Sequence, residues 1–390
     1  MHDVIIAGLG PAGSTAAYRL AKSGFKVLSF DKEKFPRYKS CGGCISAKID
    51  GLIDFDISPC VEFTVKGAYF TYRSGRKLDI TADKPVGYNV MRDTFDAFLL
   101  NKAMEAGAEV VEGTRITGFV DKGGHVDVST SDGRTFSSKF LIGADGAGGV
   151  IGREHFGMTV KECAVSITAE LPYDNSALCG MDGRLFIDFG TVPFGYGWMF
   201  PKKNFLSIGV AGDLSKNSGS IKKSFNELIS THELTSGLKV EDTAGWTVPV
   251  YSSSVKSVVK GRALLAGDSG RLVDPFLGEG IYFAMKTATV AADTITQALH
   301  SDSANLMPYQ AWLENDLFPE FSAAEKVSNL VYNHPRLWYK ILENEPAMML
   351  KYFSVIRGEE SVQSFYNWVY KRIRSRPWRL LRRWVESKFV

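Results

Sequence analysis

Residues 3–30 read, by polarity, as strand, turn, helix and strand. Asp3–Ala7 is apolar, Gly8–Gly13 carries three glycines, Ser14–Ser23 repeats apolar residues at helical spacing until Gly24 stops it, and Lys26–Phe30 is apolar again. This order predicts a βαβ unit. Segments 61–72 and 184–189 alternate apolar and polar residues, as half-exposed antiparallel strands do. Arg92–Ala106 has helical spacing and ends at Gly107, Ala108–Val111 resumes a strand, and 281–299 forms one long helix without a breaker.

All but one of the 38 glycines lie at or before Gly280, whereas five of the seven tryptophans follow residue 310. A turn-rich α/β front therefore precedes a glycine-poor helical back. The expected architecture is α/β. A Rossmann-type cofactor domain is assembled from 1–60, 88–150 and 260–300, and an antiparallel-sheet substrate domain from 61–87 and 151–259. Residues 301–390 form a helical C-terminal region.

Composition narrows the function classes. The 390 residues suit two or three lobes at ~150 residues each. With 45% hydrophobic residues the chain can bury a core, which excludes a disordered protein. A formal charge of +3, with no base-reading module beside it, argues against a nucleic-acid partner. Five cysteines, an odd number without a secretory signal before them, suit a reducing compartment. No apolar run reaches the ~18–20 residues of a membrane span. The expectation is a cytoplasmic protein, soluble or peripheral at a membrane. The six histidines show no metal-ligand spacing, so no metal is expected.

Residues 371–390 carry eight Lys/Arg against one Glu. Trp378, Leu381, Val385 and Phe389 fall near helical spacing there, with basic residues flanking them. Such a basic amphipathic tail suits an anionic membrane surface; a solvated helix packed on its own domain is the alternative.

The chemistry begins at Gly8-Leu9-Gly10-Pro11-Ala12-Gly13, which follows a strand and opens a helix. In that context Gly8 makes the tight turn, Gly10 admits a pyrophosphate to the backbone, and Gly13 lets helix and strand pack closely. Asp31 ends the next strand and can accept hydrogen bonds from ribose hydroxyls. Far downstream, Gly267-Asp268 follows the apolar Ala263–Ala266, and Gly278-Glu279-Gly280 opens the long helix. A second such site suits FAD, whose ribityl chain and ring extend past the pyrophosphate. Asp268 would take a ribityl or ribose hydroxyl, and the helix start at Gly280-Ile281 would favour a reduced, anionic ring. Gly143-Ala144-Asp145-Gly146 adds another glycine-rich turn. Arg92 opens a helix and can hold phosphate bidentately, or pair with Asp96.

Three further segments carry a resemblance: Arg37-Tyr38-Lys39-Ser40-Cys41-Gly42-Gly43, the run Pro193–Pro201 (PFGYGWMFP), and Asp274–Ile281 (DPFLGEGI). With the glycine fingerprint, the turn at Asp145 and the later Gly267-Asp268, the chain resembles the glutathione-reductase-type FAD fold in its hydroxylase-like branch. The three segments are similar to the geranylgeranyl reductase family, whose P-x-x-Y-x-W-x-F-P pattern residues 193–201 match at every specified position. The resemblance runs from the N-terminus to about residue 300. It implies FAD contacts at Ala12, Asp31, Cys41, Gly42, Cys44, Arg92, Ile116, Asp268, Gly280 and Ile281.

Tyr196, Trp198 and Phe200 are two residues apart, so in a strand they share one face. Beginning at Pro193, that face can form an aromatic wall for a polyprenyl chain, or simply pack a core. Cys41-x-x-Cys44 reads as a thiol beside the flavin, as a redox pair, or as packing. The expected activity is FAD-dependent hydrogenation of C=C bonds in a geranylgeranyl chain borne on a lipid, diphosphate, quinone or chlorophyll-type substrate. Cys41, Tyr196 or an ordered water is the candidate proton donor, and NADPH or ferredoxin the candidate electron donor. A flavin monooxygenase of an aromatic or isoprenoid substrate is the alternative within flavin chemistry. A non-catalytic FAD- or lipid-binding protein is the alternative outside it.

Overall fold

The computed structural model describes residues 1–159, 162–173, 181–255 and 257–375. The tail residues Trp378, Leu381, Val385 and Phe389, on which the amphipathic reading rests, lie outside them. The chain divides into two compact units.

Unit 1 comprises Met1–Lys39, Arg92–Glu162 and Val248–Pro319. Strand β1 (His2–Ala7) is buried on both faces from Val4 to Ala7, as a parallel strand covered by helices must be. It leads through the glycine turn into helix α1 (Pro11–Lys22), and the chain returns in β2 (Val27–Phe30), parallel to β1. Pro11 stands at the first helical position, where its missing N–H costs nothing. At the far end Gly24 adopts φ +86°, ending α1 as its sequence position predicts. On the other side of β1 lies β3 (Thr135–Gly143), followed by Ala263–Leu265; both run parallel to it. Because β1 connects to one side and pairs on both, the carboxyl ends of these strands meet where such sheets bind ligands. Helices α2 (Arg92–Glu105) and α3 (Ile281–His300) pack against α1.

Unit 2 comprises Ser40–Met91, Cys163–Thr247 and the chain from Glu320 onward. Residues 40–60, expected with the cofactor domain, cluster here because Cys44–Ser46 pairs with Gly87–Val90. The C-terminal region likewise divides, its first part belonging to unit 1 and the rest to unit 2. Among the described residues the main sheet of unit 2 has seven strands. At its centre are β4 (Ala164–Pro172), β5 (Arg184–Phe189), β6 (Gly195–Pro201) and β7 (Phe205–Asp213), in spatial order β4-β7-β6-β5. One face buries Phe186, Met199, Leu206, Ile208 and Val210 beneath Phe225 and Leu228 of the helix Ile221–Thr231. Tyr196, Trp198 and Phe200 alternate with Met199 along β6 and so point to the opposite face.

Residues 61–72 depart from the expected single half-exposed strand. They form two strands, Val61–Val65 and Gly67–Tyr72, in different sheets. Gly67–Tyr72 is buried almost throughout and runs parallel to β5. Tyr69 and Thr71 supply polar positions of the alternation while packing as interior residues, which a polarity count cannot distinguish from exposure.

Among the described residues no helix is long and apolar enough to cross a membrane.

Candidate functional site

In unit 1 the turn at Gly8 is set by close approach. Gly8 has φ +91°, and a Cβ there would run into the Ala144 carbonyl; one on Gly13 would run into the Gly8 carbonyl. Gly10 has open space: among the described residues, the only atom that a Cβ there would meet within 4 Å is Nη2 of Arg37, at 3.5 Å. Asp31 locks the turn: its Oδ2 accepts the Leu9 N–H at 2.7 Å, and Oδ1 accepts the Glu33 N–H at 2.9 Å. Among the described residues no side chain caps α1, and its first turn holds no acid. Its N-terminal N–H groups and the positive end of its dipole are thus matched to an anion.

Arg92 places Nε and Nη2 each 2.8 Å from the two oxygens of Asp96, a buried bidentate pair rather than a surface one. Arg37, not singled out by the sequence pattern, reaches the same carboxylate at 3.2 Å. Two guanidiniums therefore share one acid, leaving net positive charge beside the glycine turn. Nothing local marks Arg37; only its position in the Arg37–Gly43 segment could have drawn notice.

The late motif converges on the same helix. Gly267 has φ +60°, and a Cβ there would lie 3.2 Å from Cβ of Ala12 and 3.0 Å from Cβ of Ala284. The start of α1, the start of α3 and the Gly267-Asp268 turn thus pack together. Asp268 is 3.6 Å from Nζ of Lys39, and a Cβ on Gly280 would stand 3.6 Å from its Oδ1. Gly280 caps α3 without a side-chain bond, and no acid occupies the first turn from Ile281. Asp274 shapes this loop by accepting the Phe276 and Leu277 N–H groups. Asp145 is consumed by structure: its carboxylate accepts the Ile151 N–H and the Ser269 hydroxyl, and burial raises its pKa. Ile116 is buried.

In unit 2, Cys41 and Cys44 are both partly exposed. Sγ of Cys41 accepts the Gly43 N–H at 3.4 Å. Gly43 has φ +74°, and its carbonyl accepts the Val90 N–H at 2.9 Å. Gly42 lies against the aromatic residues: a Cβ there would stand 2.8 Å from the Phe200 ring and 3.0 Å from Nε1 of Trp198. Trp198 stands 6.0 Å from both Tyr196 and Phe200, ring centroid to centroid, and Tyr196 stacks on Tyr332 at 6.3 Å. Gly209, opposite Trp198 on β7, leaves room for the indole. Pro193 anchors the strand's entry, its carbonyl accepting from the Asn217 amide at 2.7 Å. Three of the expected substrate residues therefore form one continuous aromatic row.

The residues of unit 1 fit an FAD molecule. Two uncapped helix starts without acids and two shared arginines suit its phosphates. The buried Nε1 of Trp198, which has no partner among the described residues, suits a ligand acceptor next to Gly42.

A family model described as "Lycopene cyclase protein" matches residues 3–329. The geranylgeranyl diphosphate reductase of Rhodobacter capsulatus is 31% identical, over 77% of this chain and 76% of its own. The digeranylgeranylglycerophospholipid reductase of Methanocaldococcus jannaschii is 29% identical, over 88% of this chain and 87% of its own. A crystal structure of a geranylgeranyl bacteriochlorophyll reductase-like protein from Thermoplasma acidophilum superposes with a TM-score of 0.74 at 24% identity, over 84% and 87% of the two chains, which shows the shared fold. The chain belongs to the geranylgeranyl reductase family of flavoproteins, within the group that the lycopene cyclase model describes.

Proposed function

We propose that this chain is an FAD-dependent reductase that hydrogenates C=C bonds of a geranylgeranyl chain carried on a lipid, diphosphate, quinone or chlorophyll-type headgroup. The observation that carries this reading is the row Tyr196-Trp198-Phe200 lying against Gly42, built by the strand that matches the family pattern. Proposed FAD contacts are Gly8, Gly10, Ala12, Gly13, Asp31, Arg92, Ile116, Asp268, Gly280 and Ile281 on unit 1. On unit 2 they are Cys41, Gly42 and Cys44.

FAD, when bound and reduced by NADPH or ferredoxin, supplies the hydride equivalent for one alkene carbon. An isolated alkene offers no carbonyl for an acid to polarise, so the protein's part is to position the bond and exclude water. The aromatic row holds the chain by its width and apolar faces, without a polar register, so the chain can slide and present successive double bonds. The proton for the second carbon is assigned to Sγ of Cys41 or Oη of Tyr196. The Gly43 N–H fixes the first and the Tyr332 ring orients the second.

The test is anaerobic. Protein reduced with dithionite is given geranylgeranyl diphosphate or a geranylgeranylated glycerolipid, and mass spectrometry follows the chain. Hydrogen gained in pairs supports the reductase. Oxygen inserted on admitting air would replace it with a monooxygenase, and FAD bound without turnover of either kind with a binding protein.

Contact with an anionic membrane is also proposed. On the helix Val362–Ser375, Tyr366 stacks on Tyr370 at 6.1 Å and Arg374 lies over Tyr370 at 5.3 Å. Aromatic rings among basic residues suit a headgroup layer. Co-sedimentation with phosphatidylglycerol vesicles but not phosphatidylcholine vesicles is the expected result; equal recovery with both would remove the proposal.

A further inference from the structure

Lys202 is the anomaly of unit 2. It follows the aromatic strand directly, yet its side chain is 1% exposed. Its Nζ stands 3.3 Å from both oxygens of Glu170, and Ser207 donates to Oε1 of the same carboxylate at 2.9 Å. Strand register explains the meeting. Glu170 faces Ser207, and Ser207 faces Phe200, across three adjacent strands. The pair therefore continues the row next to Phe200 on the aromatic face. Past Val90, the nearest atom to a Cβ on Gly43 would be Nζ of Lys202, at 3.5 Å. The ammonium, rather than the carboxylate, is the end turned toward Gly43.

Stability does not account for this arrangement. Desolvating both ions costs several kcal/mol each, and apolar replacements of such pairs are often as stable. What a fixed ammonium supplies in a low-dielectric site is a field on whatever binds beside the turn. Next to it, the indole N–H of Trp198 is buried without a partner among the described residues.

We propose that Lys202, held by Glu170, is a positioning residue whose fixed positive charge behind Gly42-Gly43 favours the anionic reduced form of the flavin bound at that turn. The inference rests on the reading that FAD binds with Cys41 and Gly42 beside it. Glu170 keeps the ammonium in place and partly offsets its field, so the two residues act on the flavin with opposite sign.

The experiment uses the full chain loaded with FAD and two readouts other than turnover: the flavin midpoint potential, and the dissociation constant of the sulfite adduct, which reports positive charge near the ring. Lys202→Met is expected to lower the reduction equilibrium about tenfold, about 30 mV for two electrons, and to weaken sulfite binding similarly. Lys202→Arg, retaining charge, should stay within about threefold of the parent protein. Glu170→Gln, which removes the offsetting negative charge, should shift both readouts the opposite way. Shifts of the same sign in Lys202→Met and Glu170→Gln, or none in either, would overturn the proposal. Should Lys202→Met fail to fold, an unchanged or lowered potential in Glu170→Gln overturns it alone. Parent protein that takes up no FAD overturns the underlying reading, and this one with it.

Discussion

Gly42 lies against Trp198 so closely that a methyl group cannot be added: a Cβ would stand 3.0 Å from Nε1 of the indole and 2.8 Å from Phe200. The glycine is fixed by the aromatic row it touches, and backbone freedom is secondary. Gly42→Ala should therefore displace the row, costing about 1–3 kcal/mol of stability. Prenyl reduction should fall by an order of magnitude or more, because positioning is most of what the protein contributes. Thermal unfolding and product analysis on the same preparation check both; an alanine variant with full activity would separate Gly42 from the site.

Trp198→Phe keeps an aromatic ring on Gly209 but removes the indole N–H and half the wall. The expected result is a correctly folded protein, about 1–2 kcal/mol less stable, with kcat/KM for a geranylgeranyl substrate down about tenfold. The loss should fall mainly on KM if the wall grips the chain equally before and during the reaction. A loss in kcat alone would instead assign the indole to the reacting bond.

The two arginines on Asp96 differ in what they contribute to the fold. Asp96→Ala leaves Arg92 buried without its bidentate partner and should cost about 3–5 kcal/mol. Arg37, less deeply buried, can be removed at little cost to the fold; Arg37→Ala should weaken FAD binding about tenfold, or about 1.4 kcal/mol. Thermal melts and FAD release on dilution distinguish the two. An Arg37→Ala protein that holds FAD as tightly as the parent would show that Arg37 only neutralises Asp96.

How much of this was legible depended on the range of the cause. Gly8, Gly13, Gly24 and the long helix from Ile281 follow from local sterics and periodicity, and the structure places them as the pattern implies. The shared face of Tyr196, Trp198 and Phe200 follows from the two-residue period of a strand. Pairing across the sheet does not: Lys202 meets Glu170 because β4, β7 and β6 adopt one register, which no window of sequence encodes. Arg37 was invisible for the same reason, since its partner Asp96 comes from a helix far along the chain. Gly67–Tyr72 misled because a tyrosine and a threonine inside a sheet resemble polar positions at its surface.

Acid stability offers a test independent of the cofactor. His232 is 1% exposed, edge-on to Phe186, and its Nδ1 accepts the Leu234 N–H at 3.3 Å. Burial, helped by the charge of Lys77, holds its pKa down at about 4 against an ordinary 6.5, with Glu233 opposing. Between those values the unfolded chain binds the proton and the folded chain does not. This group's contribution is thus complete above pH 6.5 and declines as pH falls toward 4, by roughly 1.4 kcal/mol per unit. Buried Asp145 and Asp188, whose pKa values burial raises, act in the opposite sense but equally in any variant that keeps them. His232→Gln cannot titrate. Urea unfolding near pH 7 and near pH 5 should therefore show the parent losing about 2 kcal/mol more than the variant. Equal losses would mean that the imidazole is solvated enough to protonate in the folded state.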